Sequence, residues 1–257
     1  MFETTTDEAD NRQRIVDVDG QSYVLREYVG NAPKRGIYVE GNEVNDNDLP
    51  QGFLVTQPPS SVTRPHFHEA NQFQVFVDGD GHFGKKPAAP LTVQYANART
   101  PYGPIEAGPR GIRYFTLRQR WDPGAKYMPE MRDKLVRGNQ RQRMAPVDGD
   151  WTSDRDIGID GVRETSILAA EEDGLHAALF ELGPDCTFDM PDAADGGGQY
   201  HVVVSGALRG RGEETLDRWS CQYAFPNDGT VRIQATSRGA AVLLLRFPIV
   251  AEALMQA

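Results

Sequence analysis

The sequence predicts an all-β chain built from two similar modules in tandem, on three observations. Short runs of strand-forming residues are cut repeatedly by Gly-, Pro- and Asp-rich turn signals. The segment Gln72-Phe73-Gln74-Val75-Phe76-Val77-Asp78-Gly79 returns position for position as Gln199-Tyr200-His201-Val202-Val203-Val204-Ser205-Gly206. Two further matches follow at nearly the same offset. Gln94-Tyr95-Ala96 matches Gln222-Tyr223-Ala224, and Gly111 with its strand to Arg118 matches Gly239 with its strand to Arg246. Short strands joined by tight turns build an antiparallel sandwich or barrel rather than an alternating α/β unit.

Residues 1–50 read as a polar N-terminal arm, with a strand over 22–29 and an acidic stretch over 40–48. An arm of this kind packs on a neighbouring domain or subunit. Residues 51–120 are the first module. Phe53-Leu54-Val55-Thr56 is a strand, Pro58-Pro59-Ser60-Ser61 a turn, and the stretch from Gln72 alternates into Asp78-Gly79-Asp80-Gly81, a hairpin signal. His82 opens the return strand, 91–96 forms another, Thr100-Pro101-Tyr102-Gly103-Pro104 turns the chain, and 111–118 closes the series. Residues 121–165 read as a linker with a basic run and one short helix near 131–137. Residues 166–257 are the second module.

Composition narrows the class. With 257 residues, 39% hydrophobic, and a mean hydropathy of -0.53, the chain is expected to be soluble and globular. A net charge of -10 disfavours nucleic acid and anionic membrane surfaces as general partners. The acidic start lacks the basic and apolar regions of a signal peptide, and no apolar run is long enough to span a bilayer. Cys186 and Cys221 are spaced neither as a metal knuckle nor as a redox pair, so a cytoplasmic protein with reduced thiols is expected. No Rossmann fingerprint or hydrolase elbow is present; Ser205-Gly206 lies at a hairpin.

The chemistry concentrates in Arg64-Pro65-His66-Phe67-His68-Glu69-Ala70-Asn71-Gln72. His66 and His68, two apart on a strand, point to one face. Two imidazoles beside a side-chain amide form a half-site for a divalent metal. The competing reading has one imidazole facing the core and bonded to a backbone group. His-x-His, a four-residue step to a polar residue, then six residues and Gly, resembles the first conserved motif of the cupin superfamily. The chain departs from that pattern by placing Gln72 where the family usually has a ligating Glu. The resemblance covers roughly 50–120 and 175–250 and implies two tandem cupin-like (jelly-roll) β-barrels, a bicupin.

What the resemblance implies for the site is a divalent ion, Fe(II) by preference, with Mn(II), Ni(II) or Zn(II) as alternatives, held by His66, His68, Gln72 and Glu106. Gln72 ligates through its carboxamide oxygen, orients a bound water, or only bonds structurally, as Gln199 does in a module without the His pair. A second family motif should supply one more ligand. Pro101-Tyr102-Gly103-Pro104-Ile105-Glu106 places Glu106 there by one alignment and Tyr102 or Gly103 by another; His82 is a further candidate. Tyr102 is then a pocket donor or acid. Arg64, Arg99, Arg113 and Arg118 lie among the module's aromatics, and any that faces inward needs an anion, either Asp/Glu or a substrate carboxylate. On that ground Arg64 is grouped with Tyr102 as catalytic and a small organic acid is the expected substrate.

The second module has lost the His pair. Its role is packing against the first, with a small polar ligand site around Gln199 and His201 left open; His176 is structural. Three functions are weighed: a metal-dependent enzyme, a dioxygenase-type oxidoreductase by preference with an isomerase or decarboxylase as the alternative; a non-catalytic ligand-binding or structural bicupin; and a sugar- or effector-sensing domain, which lacks the attached DNA-binding helices of a regulator. A homodimer is expected.

Overall fold

A computed structural model describes residues 1–136 and 140–249. The chain is all-β, with one large antiparallel sheet in each of two units, and among the described residues helix is limited to one short α-helical turn and a few 3-10 turns. In neither unit does the strand order close on itself among the described residues. Among them, too, no helix is long and apolar enough to cross a membrane.

The unit Ala9–Thr152 holds a nine-stranded sheet. Its strands run Gln142–Pro146, Thr92–Ala96, Gln72–Phe83, Ile105–Arg118, Gln51–Gln57, Gln21–Val29 and Gln13–Val18 from edge to edge. Short strands Val62–Thr63 and Lys86–Ala88 pair onto Ile105–Arg118 and Gln72–Phe83. His66–Phe67 and Lys126–Tyr127 form a separate two-stranded ladder. Residues Gln72 to Val77 are buried on both faces, so Gln72, Gln74 and Phe76 line one side while Phe73, Val75 and Val77 are buried on the other. The core behind the first face gathers Tyr23, Leu25, Phe53, Val55, Phe76 and Tyr114. Around 131–137 the helix is reduced to the 3-10 turn Arg132–Lys134; Arg137 lies outside the described residues.

The second unit comprises Met1–Glu8 and, among the described residues, 153–249. Its sheet runs Phe2–Thr4, Cys221–Ala224, Gln199–Arg209, Arg232–Arg246, His176–Leu182 and Val162–Leu168. Its core is built from Phe180, Leu182, Val203, Val242 and Leu244.

The internal repeat reappears in the strand register. Gln72 lies opposite Ala96 and Arg118 in one sheet, and Gln199 lies opposite Ala224 and Arg246 in the other. The repeated glycine is not a hairpin turn, because Gln72–Phe83 runs straight through 78–81 and turns only after Phe83. Gly79 and Gly206 instead sit at register shifts with φ of +76° and +64°. A Cβ there would lie 2.1 Å from the Gly111 carbonyl oxygen and 2.2 Å from that of Gly239. Bulges and turns both call for left-handed backbone and close approach, which is why the signal reads as either. Gly206→Ala is therefore expected to cost about 1–3 kcal/mol from conformation alone, with the backbone clash added. Equilibrium urea unfolding measures it, against Gly158→Ala, where an added Cβ meets nothing within 4 Å.

Candidate functional site

Three elements bring the site together. The His66 and Tyr102 backbones pair in both directions, His66 N–H to the Tyr102 carbonyl at 3.1 Å and Tyr102 N–H to the His66 carbonyl at 3.0 Å. The rings stack edge-on with centroids 4.6 Å apart. His68 follows, its ring 5.2 Å from that of His66. Arg118 ends the Ile105–Arg118 strand, and its two neighbours across the sheet are Gln72 and Gln51.

That register puts a guanidinium between the two glutamines and the histidine. Arg118 is 2% exposed. Its Nε donates to Gln72 Oε1 at 2.9 Å and its Nη1 to Gln51 Oε1, while Nη2 lies 3.0 Å from His68 Nε2. The His68 tautomer follows from the other side of the ring, where Nδ1–H donates to Asp122 Oδ1 at 2.6 Å. Only Nε2 keeps a lone pair, and Arg118 uses it. Asp122 also accepts from the N–H groups of Gly124 at 2.9 Å, Glu69 at 2.8 Å and Ala70 at 3.3 Å, and its Oδ1 is 3.9 Å from Arg118 Nη1. A second buried cation, Lys126, is paired with Glu69 at 3.0 Å and stacks on Tyr38.

His66 Nδ1–H donates to the Arg64 carbonyl at 2.7 Å, so Nε2 is its acceptor. Tyr102 Oη accepts from Gln72 Nε2 at 2.5 Å, which leaves its O–H to donate. These groups, with Gln74, Phe53, Tyr114 and Tyr127, line a cavity of about 80 Å³. Gln74 is buried, and its Oε1 has no protein partner.

Burial, aided by the His68 ring and Arg118, holds the His66 imidazole down to about 3. Burial and then the Arg118 charge depress His68, against the pull of Asp122. Both rings are neutral at pH 7. Burial pushes the Tyr102 phenol well up. Burial alone would raise the Asp122 carboxyl, but His68, Arg118 and the donated hydrogen bonds outweigh it and keep Asp122 ionised.

Of the residues singled out from sequence, His66, His68, Gln72 and Tyr102 meet at this cavity. Arg64 and Glu106 do not. Arg64 pairs with Asp19 and Glu130, each at 2.8 Å, and packs over Tyr127 from outside. Glu106 is exposed, on the strand opposite Val62 and His82, and His82 is exposed too. Sequence reasoning placed Arg118 among several inward candidates but missed Gln51 and Asp122. Asp122 sits in an ordinary-looking Trp121-Asp122-Pro123-Gly124 stretch, and no local signal marks its carboxylate as the partner of His68.

The metal expectation is corrected. Among the described residues no group of three or more His, Cys, Asp or Glu is placed to hold a metal ion. The donor set explains why: His68 Nε2 and Gln72 Oε1, two of the atoms a cation would need, are engaged by Arg118, and Glu106 lies away from the cavity. A fixed guanidinium beside the two imidazoles also repels a second cation. The residues do not fit Fe(II), Mn(II), Ni(II) or Zn(II). Dioxygenase-type oxidoreductase, isomerase or decarboxylase chemistry built on such an ion falls with it.

No family profile and no curated protein sequence matches the chain. Solved structures do. A provisionally assigned dioxygenase of Nostoc punctiforme is 12% identical, with 94% of this chain and 81% of that one covered at a TM-score of 0.58. The formate complex of oxalate decarboxylase from Lactobacillus farciminis is 10% identical over 98% of this chain and 87% of that one, with a TM-score of 0.56. The nickel(II) complex of a bacterial pirin from Escherichia coli is 13% identical over 97% and 99%, with a TM-score of 0.53. Identities this low speak for fold and not for chemistry. With its two sheets and its register repeat, the chain shares the two-domain, bicupin-like all-β fold of these structures.

Proposed function

We propose that the first module is a metal-independent binding site for a small, neutral, polar molecule. The observation that carries the reading is the pairing of a fixed guanidinium, Arg118, with an acceptor and a donor left for a ligand: His66 Nε2 and the Tyr102 hydroxyl. Gln74 Oε1 adds a second buried acceptor. An unpaired buried polar atom costs about 1–3 kcal/mol, so a ligand that bonds these three recovers that cost.

Charge balance sets the ligand class. Arg118 is offset by Asp122 and Lys126 by Glu69, so neither a free cation nor a free anion has a buried counter-charge waiting for it. The remaining arginine of the lining, Arg35, is exposed and screened by water, so the organic acid expected from the arginines has no buried guanidinium of its own. A cavity of about 80 Å³ takes on the order of half a dozen waters, or a ligand with a similar number of heavy atoms. A compact hydroxy-carbonyl compound, with one acceptor for Tyr102 and donors for His66 and Gln74, fits these terms. In this reading each sheet is one wall of a jelly-roll barrel and the cavity is the interior of the first. It also takes the protein as cytoplasmic, in keeping with two free cysteines, and as a homodimer pairing through the edge strand Gln13–Val18, where Ile15 is 72% exposed.

Calorimetric titration of the full chain with dihydroxyacetone, whose two hydroxyls supply both donors, against lactate and glycolate, tests the proposal. Dihydroxyacetone is expected to bind, and Tyr102→Phe to weaken it about tenfold, the loss of one hydrogen bond in a buried site. Preference for the acids, or indifference to Tyr102→Phe, would sink it. Sedimentation velocity tests the dimer.

A further inference from the structure

One wall of the first module's cavity faces two ways. Pro33 and Arg35 line the cavity, and the same two residues line an outer crevice of about 460 Å³ together with Lys34 and Trp121. The stretch that carries them is held in place. The Tyr127 hydroxyl donates to the Gly36 carbonyl at 3.1 Å, and the Tyr38 N–H donates to the Ala125 carbonyl at 2.8 Å. Tyr127 and Ala125 belong to the cavity lining themselves, so the Arg35 backbone is fixed next to a direct contact with it. Gly36 packs so closely that an added Cβ would lie 2.4 Å from the Asp17 carbonyl oxygen.

Lys34 and Arg35 are exposed, and among the described residues neither has a carboxylate in ion-pair contact. That sets them apart in a chain of net charge -10, where Arg14, Arg26 and Arg64 of the same unit are each paired with an acid. The carboxylates that line the crevice are engaged elsewhere: Glu40 faces Lys134 at 3.8 Å, and Asp122 holds His68. Two adjacent, unpaired cations thus stand beside a cavity whose own charges are balanced. Inside it, His66 Nε2 and the Tyr102 hydroxyl are open to a ligand.

We infer that the ligand of the first module is a phosphorylated hydroxy-ketone, its uncharged head in the cavity and its phosphate outside on Arg35 and Lys34. Such a ligand presupposes the neutral hydroxy-carbonyl site proposed above and supplies its other end. A phosphate monoester carries about −1.5 to −2 charges at neutral pH, which two neighbouring cations match. The guanidinium takes two of its oxygens at once. On that exposed side the anion keeps its contact with water, so it escapes the desolvation that bars it from the cavity. In lactate and glycolate the charge adjoins the hydroxyl, and one cannot enter the cavity without the other.

Calorimetric titration of the full chain at low ionic strength with D-erythrulose and D-erythrulose 4-phosphate provides the test. Both contain the dihydroxyacetone unit, and they differ only in the phosphate. The phosphate is expected to tighten binding at least about tenfold, a gain that shrinks as salt approaches about 1 M, where the Debye length is about 3 Å. Arg35→Glu is expected to bring the ratio of the two affinities to about one or below. Arg35 is an exposed residue, so that variant folds independently of the outcome. Tyr102→Phe is expected to weaken both compounds by the same factor, since both place the same head in the cavity. If erythrulose binds and its phosphate binds no tighter, or if the gain survives Arg35→Glu, the phosphate end is overturned while the cavity reading stands. A phosphate compound indifferent to Tyr102→Phe is held by surface charge alone, which overturns it as well. If neither compound binds at about 10 mM, the cavity reading fails and the phosphate end falls with it.

Discussion

Asp122→Ala is expected to destabilise the Ala9–Thr152 unit by about 3–5 kcal/mol, the usual cost of stranding one member of a buried ion pair. The substitution takes the counter-charge from Arg118 and the acceptor from His68 Nδ1, and it leaves the N–H groups of Glu69, Ala70 and Gly124 without their partner. Urea unfolding followed by the fluorescence of Trp121 and Trp151 reads the loss. Asp122→Asn keeps the shape and some acceptors, so its loss should be smaller. The double variant Arg118→Met/Asp122→Leu removes both charges and should recover only the part of the loss that comes from the unpaired guanidinium, because the donors that Asp122 served and the Gln51 and Gln72 oxygens stay without partners. If Asp122→Ala unfolds within about 1 kcal/mol of the wild type, the arrangement around Arg118 is wrong.

Acid is expected to weaken both units well before ordinary carboxylates titrate. His66 stays neutral in the native state down to about pH 3, and His201, held down by burial, to about 4. A free imidazole takes a proton near 6.5. Between those values the unfolded chain binds a proton that the native chain refuses, so stability falls as pH falls, by about 1.4 kcal/mol per pH unit for each ring. Above about 6.5 neither ring contributes. His68 is depressed too and adds in the same direction. Asp122 acts lower down: its carboxyl is held below the ordinary range, so the stability it supplies persists above that range and is lost as pH drops through its folded value. Unfolding curves at pH 6 and pH 5 should differ by about 1 kcal/mol per buried imidazole. His201→Gln, which copies Gln74 of the first module, should flatten the slope of the second unit. A slope unchanged by that variant would mean His201 is already protonated in the folded chain.

Much of the architecture was legible because it is written twice. The repeat around Gln72 and Gln199 carried the strand order with it, down to Arg118 and Arg246 facing those glutamines. Asp78-Gly79-Asp80-Gly81 misled because a bulge and a turn ask for the same glycine. At the site the His pair, Gln72 and Tyr102 could be read from spacing and turn position, since short-range pattern places residues that are near in the chain. Arg118 and Asp122 could not be ranked so easily. What makes them central is a contact across some fifty residues, His68 to Asp122, and a pairing with two separate strands. Gln72 held the clue: an amide in place of a carboxylate suits a guanidinium donor better than it suits a metal.

The positive charge beside His68 is covalently part of the closing strand and cannot be leached. Chelators, iron starvation and peroxide, which retune proteins that borrow their charge from solution, leave it in place. Readiness of the pocket is thus settled when the chain folds, and adjusting it falls to mutation rather than to supply.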